Sequence, residues 1–434
     1  MEDVFQNGVT PKQAKHGKNM YVIEASVEYF ISIVITGAYL AKIATTIGMS
    51  QAMIGILSSF VSLGYVFQIF ALLLAGKRRV KRTVTVLHMI NQLAFALLYL
   101  VPFVPVPDTL KHVFFILFLL AGYILSNFIG APKLSWYMTF VSANERGRFT
   151  AKKEIWSLMG GMVFSYIVSF VIDHFEATGQ INNAFIVSAI AIFLLAVVHT
   201  LVLIYTPDIE IPGSEKKEPL FTTLKKVFAN KRIWKVLVVQ IIYNIISCTV
   251  LGFFGAYTTS SLENFGLGLS MTFISIVSAV GAVVRSLASR PMGRFADKYS
   301  FKTSTAFCYS LFAVALIAAA FMTPKYGMVF YTVYVVIQSV AMAGMNSGII
   351  NLLYEEVEPE QRMSAYAVQQ FVAGFVGFLS TFPAAAFVAS VQATETGTLL
   401  GLYAQQWLCI WGALLAVVLV LYVTFVLKKK KIKK

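Results

Sequence analysis

Twelve apolar stretches of about 20 to 28 residues take up most of this 434-residue chain, each long enough to cross ~30 Å of hydrocarbon as a helix. In lipid, every backbone N–H and C=O must find its partner inside the protein, so such a chain is confined to packed helices. Composition agrees. Hydrophobic residues make up 58% of the chain and mean hydropathy is +0.75, more apolar surface than a soluble core hides. Charged residues are 13%, against roughly 25% in soluble domains. A membrane β-barrel would show alternating segments of about ten residues instead. A soluble enzyme, a disordered protein and a single-pass receptor are excluded. The expected fold class is an all-α membrane protein with twelve transmembrane helices in two pseudo-symmetric six-helix bundles.

The spans are expected at 21–46, 50–76, 83–105, 112–141, 153–174 and 182–206, then at 233–260, 269–291, 302–322, 327–354, 363–390 and 399–427. The domains follow: an N-terminal segment 1–20, a first bundle 21–206, a linker 207–232, a second bundle 233–427 and a tail 428–434. The linker carries Pro207, Pro212, Gly213 and Pro219. Its Phe221, Leu224, Val227 and Phe228 fall at helical spacing opposite lysines, which suits a short surface helix or a disordered connector.

The net charge of +15 does not point to nucleic acid, because of where the cations fall. With the N-terminus inside, 30 basic residues lie on the inner side and 3 on the outer. That asymmetry places both termini in the cytoplasm, with the lysine-rich tail beside anionic lipid. The expected location is the plasma membrane, of the bacterial inner-membrane kind. No secretory signal is visible, since the first 20 residues are polar and the apolar run after them is too long.

Cys248, Cys308 and Cys409 all lie in apolar stretches and suggest no disulfide framework. His16, His88, His112, His174 and His199 are scattered without HExxH spacing, so neither a metal site nor a cofactor is expected. No GxxxxGK[ST] occurs, which disfavours ATP-driven pumping, and no clustered nucleophile and base suggests an enzyme.

The halves look like copies. Glu145-Arg146 aligns with Gln361-Arg362 at offset 216, and Lys81-Arg82-Thr83 aligns with Phe301-Lys302-Thr303 at offset 220. Such repeats place a substrate site where they meet, near the midplane.

After span 8, the run Gly293-Arg294-Phe295-Ala296-Asp297-Lys298-Tyr299-Ser300-Phe301-Lys302 resembles the G-x-x-x-D-[RK]-x-x-[RK]-[RK] element of the major facilitator superfamily. In that family the element closes the inner side. The resemblance implies gating roles for Gly293, Asp297 and Lys298, with Arg146 and Arg362 as partners. The first half departs from the pattern. Gly76-Lys77-Arg78-Arg79-Val80-Lys81-Arg82 has no aspartate, so its inner gate cannot use the same ion pair. Gly160-Gly161 in span 5 lacks the family's antiporter signature. The resemblance further implies that spans 1, 4, 7 and 10 line the cavity, and that the protein is a monomer.

Ionisable groups inside a bilayer are functional suspects. At helical spacing Glu24, Glu28, Ser32, Ile35, Tyr39 and Lys42 of span 1 share one face, so this helix is expected to be polar along one side over its whole length. Glu28 would lie about 6 to 9 Å below the helix centre at 1.5 Å per residue. Glu28 and Glu24 are therefore the candidate proton-coupling residues, although Glu24 would equally suit a head-group pair with Lys18. Offset 216 maps these acids onto Gln240 and Asn244 of span 7, amides that either bind substrate or bridge helices. The resemblance adds Tyr39, Asn127, Lys133, Tyr137, Gln338 and Asn346 as substrate-cavity candidates. Lys133 is a partner for Glu28, a ligand for a substrate carboxylate or a structural group. Arg285 either greets an anionic substrate or serves the inner gate. His88, Asn91 and Gln92 sit on span 3, an outer helix in the family, and read as structural.

The leading expectation is a secondary active transporter of a small hydrophilic organic solute, of sugar or metabolite type. It would work by alternating access and be coupled to protons, or to sodium. The alternatives are a proton-driven exporter of amphipathic drugs and, from another class, a transport-inactive membrane sensor or scaffold. Expected partners are the solute, the coupling ion and membrane lipid, with no nucleic acid.

Overall fold

The computed structural model describes residues 9–71, 79–142, 145–211, 225, 228–357 and 362–427, apart from the side chains of 147, 232 and 363. The expected linker helix over 221–228 (apart from 225 and 228), the basic tail 428–434 and the sequence-aligned residue 361 lie outside that set. Among the described residues, ten helices are long and apolar enough to cross a membrane, or eleven when one bent pair counts as a single span.

Packing divides the chain into two units. One comprises Met1–Tyr39 with Phe67–Leu220, the other Leu40–Val66 with Phe221–Lys434. This division places 40–66, the end of the first expected stretch and most of the second, with the second unit, and local packing accompanies it. Gly55 leaves room for the ring of Phe253, and Gly374 lets its helix approach the backbone of Ser62. Small residues at these points permit close helix contact within the second unit.

In the first unit, α1 spans Pro11–Val34 and begins earlier than the polar N-terminal segment suggested. The cause is a capping box. Thr10 accepts from the backbone N–H of Gln13, whose side chain accepts from Thr10, and Pro11 fits the first helical position. The first span is not one rod. It bends by 48° between α1 and α2 (Gly37–Thr46). Gly37 takes a φ of +54°, open to glycine at little cost, and the Ser32 and Thr36 hydroxyls donate to backbone carbonyls beside the break. The single polar face expected along this span is therefore interrupted. Beyond the bend Tyr39 turns to another helix.

From Leu40 onward α2 is assigned to the second unit. Four more helices belong to the first. They are α5 (Lys81–Leu98), α6 (Asp108–Met138, containing Pro132), α7 (Arg146–Ala177) and α8 (Ile181–Tyr205). The α5 helix takes the place of the expected third span but is not among those apolar enough to cross alone, consistent with its buried His88, Asn91 and Gln92. Asn91 donates to the Gly122 carbonyl of α6 at 2.6 Å and accepts from Gln92 at 3.0 Å, so its polarity is used in helix pairing.

The second unit holds α3 (Gln51–Ser58) and α4 (Phe60–Phe67, which ends one residue past the boundary). It continues with α9 (Lys231–Ile246), which runs through a π-helical turn, Ser247–Leu251, into α10 (Gly252–Thr259). Then come α11 (Met271–Tyr299), α12 (Phe301–Ala320), α13 (Gly327–Tyr354), α14 (Arg362–Gln392) and α15 (Ala404–Phe425). The Gly293–Tyr299 part of the signature is not a loop, as the apolar pattern suggested, but the last two turns of α11. The chain breaks only at Ser300, whose hydroxyl caps α12 by accepting from the Thr303 N–H at 3.1 Å.

Candidate functional site

Four helices of the first unit bring five ionisable side chains together. Glu24 and Glu28 lie one turn apart on α1, so they share a face. Lys133 comes from α6, directly after Pro132, where the missing N–H leaves the backbone locally polar. His88 comes from α5 and His199 from α8.

The Lys133 ammonium donates to Glu24 Oε1 at 2.8 Å and also to Glu28 Oε2, bridging the two acids. His199 Nε2 lies 3.1 Å from the same Glu24 oxygen. His88 Nε2 stands 3.5 Å from Glu28 Oε1, and the two imidazole centroids are 4.6 Å apart. Glu24, His88 and His199 are fully buried, Lys133 nearly so, and Glu28 is 29% exposed through its side chain. Glu28 is thus the member of the group that meets the outside. With both carboxylates ionised, Lys133 offsets one of the two negative charges, and the next cation, Lys153 of α7, stands one ring away with its ammonium 3.4 Å from the Tyr21 hydroxyl. Charge in a low-dielectric interior is costly unless it is paired.

An aromatic layer lies beside the cluster. Tyr21, one turn before Glu24, stacks on Tyr137 with ring centroids 4.4 Å apart. Tyr137 also pairs its hydroxyl with Thr206 at 3.2 Å and stacks on Trp136. These rings pack with Val80, Val84, Phe140 and Leu203 in a closed apolar core. Farther along α1, Lys18 pairs with Glu145 at 2.9 Å, so Lys18 is not the partner of Glu24. The hydrogen bond from Lys18 holds the Glu145 carboxyl below the ordinary glutamate value of 4.5.

The remaining candidates fall elsewhere. Tyr39 is buried against α7, donating to the Ser165 carbonyl at 2.8 Å and pairing with the Ser169 hydroxyl at 2.7 Å. Asn127 is half-buried and donates to the Tyr123 carbonyl of its own helix. In the second unit, Gln240 donates to Gln370 of α14 at 3.2 Å, and Asn244 donates to the Gln240 carbonyl at 3.0 Å. Both amides are buried and bridge or brace helices. Gln338 is half-buried beside Tyr334, and Asn346 is exposed.

Gly293, Asp297, Lys298, Arg285, Arg146 and Arg362 are all exposed. Lys298 lies over the Tyr299 ring at 5.3 Å and Arg362 over Tyr354 at 5.0 Å. Among the described residues Asp297 forms no ion pair with either arginine.

The histidines are what sequence reasoning missed. His88 and His199 are 111 positions apart and belong to no spacing motif, so only the fold reveals them as neighbours. A usable signal did exist. Each is an ionisable residue in the middle of an apolar stretch, the criterion that singled out Glu28.

The sequence profile of the Major Facilitator Superfamily matches residues 25–381 and, in a second alignment, 245–432. No curated protein sequence matches the chain significantly. Among solved structures, a mutant of the nucleoside transporter NupG is similar at 17% identity and a TM-score of 0.71, covering 95% of this chain and all of that one. A D-xylose-proton symporter is similar at 15% identity and 0.67, over 93% of this chain and 97% of the other. A bacterial metal transporter follows at 12% identity and 0.63, over 96% and 98%.

Proposed function

This chain belongs to the major facilitator superfamily of membrane transporters, and we propose that within it the protein is a proton-coupled transporter of a small, uncharged or zwitterionic hydrophilic solute. The observation that carries this reading is the Glu24–Lys133–Glu28 bridge with its excess negative charge in the membrane interior. A proton arriving on Glu28, the exposed member, makes the group neutral; its departure restores the charge. Exchange between these forms is what coupling to a proton gradient requires. The cation also holds the two acids in a fixed geometry, so a change of proton on one alters the hold on the other.

Substrate class follows from the polarity available without fixed charge. Asn127 and Gln338 are half-buried, Asn346 is exposed, and each has amide capacity beyond the bonds given above. Amides and hydroxyls suit the hydroxyls of a sugar or nucleoside, the classes named for the similar NupG and xylose structures. Alternating access is the mode of action assigned, with Asp297, Lys298 and the arginines at the helix ends serving the gate.

The experiment is uptake into proteoliposomes under an imposed inward proton gradient. The panel holds pentoses, hexoses, nucleosides, amino acids, organic acids and a lipophilic cation. Gradient-driven accumulation of a sugar or nucleoside, abolished by an uncoupler, is the expected outcome. Accumulation of the lipophilic cation alone would replace this reading with drug export.

A further inference from the structure

Glu24, His88 and His199 form the arrangement that proton coupling leaves least explained. One ligand atom from each lies within 4.8 Å of the others, and all three residues are fully buried. Glu24 Oε2 and His199 Nδ1 have no hydrogen bond among the described residues, and His88 has only a contact to Glu28 at 3.5 Å and one to Asn91. Buried polar atoms left unpaired cost about 1–3 kcal/mol each, so native structures rarely keep several in one place without a reason. A proton satisfies one lone pair; this site offers several that converge.

We propose that Glu24, His88 and His199 bind a divalent transition-metal ion of borderline softness, with Zn2+ as the type. Two imidazoles and a carboxylate are a known ligand set for such ions and leave a fourth position open. Bonds of ~2.0–2.2 Å in a tetrahedron need ligand atoms about 3.3–3.5 Å apart. The His199 Nε2–Glu24 Oε1 pair at 3.1 Å is already close to that spacing, and one ligand atom from each of the three residues lies within 4.8 Å of the others. Lys133 is the opposing influence. It donates to that same Glu24 Oε1, so the ion and the ammonium compete for this oxygen, while the ammonium keeps its bond to Glu28. The excess negative charge of the group favours the ion, while the neighbouring ammonium weakens its hold. The ion and the coupling proton would compete for one cluster, yet metal binding is read without transport and stands or falls separately from the proton assignment.

The test is titration of the tag-free, detergent-solubilised chain with Co2+, followed by visible d–d absorption and then by displacement with Zn2+. The expected result is one tetrahedral Co2+ per chain, bound at least tenfold more weakly in His88→Gln and in His199→Gln, and unchanged in the exposed-residue control His174→Gln. Lys133→Met is expected to bind at least tenfold more tightly, a gain that a purely structural role would not produce. Uptake of 65Zn2+ into proteoliposomes then separates cargo from inhibitor. Should a histidine variant fail to fold, the wild-type spectrum decides alone. Absence of a tetrahedral band at millimolar Co2+, or a band that survives both histidine variants, overturns the proposal.

Discussion

The two units treat equivalent positions in opposite ways. Glu24 and Glu28 of the first unit correspond, at offset 216, to Gln240 and Asn244 of the second. In the first unit the pair gathers an ammonium and two imidazoles into a charged, buried group. In the second, the amides form neutral hydrogen bonds to Gln370 and to their own helix. Gln240 keeps the shape of a glutamate, Asn244 is one methylene shorter, and at both positions charge is exchanged for dipole. A buried amide network is stable in one protonation state only, whereas a buried carboxylate group can take up or release a proton. On the proposed reading, the first unit carries the ion sensitivity and the second does not.

Removing the cation should break this contrast most severely. Lys133→Met leaves two carboxylates buried together without a counter-ion. Breaking a buried pair by deleting one partner costs about 3–5 kcal/mol. A large drop in the thermal unfolding midpoint is expected, mostly recovered in the triple variant Lys133→Met, Glu24→Gln, Glu28→Gln. If the triple variant is as unstable as the single one, packing rather than charge explains the loss.

The second effect concerns only one side of the comparison. Glu24→Gln keeps the shape of the first unit but gives it the second unit's chemistry, and should reduce gradient-driven uptake at least tenfold. Gln240→Leu removes one neutral hydrogen bond and strands Gln370. It should cost about 1–3 kcal/mol of stability without changing the pH dependence of transport. A shifted pH profile in Gln240→Leu would erase the proposed division of labour.

The smallest effect lies outside the membrane. The Glu145 carboxyl is held below its ordinary 4.5 by Lys18, so its contribution is fully present above that value. It is lost as pH falls through the lowered value in the folded state. Because the pair is partly exposed, Lys18→Met should change stability by no more than about 1 kcal/mol. The difference from wild type, followed by chemical unfolding, should vanish in acid.

Much of the fold was legible because a membrane allows few solutions. Long apolar runs located the helices, and the Gly293–Lys302 signature pointed to the family that the profile match identifies. The break at Gly37 was harder to see. Nothing in the apolar pattern of span 1 marks it, since a glycine within an apolar run is as often helical as left-handed. The start of α1 was available in the Thr10-Pro11-Lys12-Gln13 cap, but polarity masked it. The second apolar stretch was assigned by chain order, whereas its small residues decided where it packs. At the candidate site, Glu24, Glu28 and Lys133 stood out because charge within apolar sequence is conspicuous. His88 and His199 did not, because histidine is common in structural roles and their meeting depends on how α5 and α8 pack.

The most direct trial of the account is gradient-driven accumulation against counterflow, measured in the same proteoliposomes with the solute that the panel identifies. For Glu28→Gln the account predicts that accumulation falls to the level set by equilibration while counterflow persists near the wild-type rate. Accumulation equal to that of the wild type would contradict it.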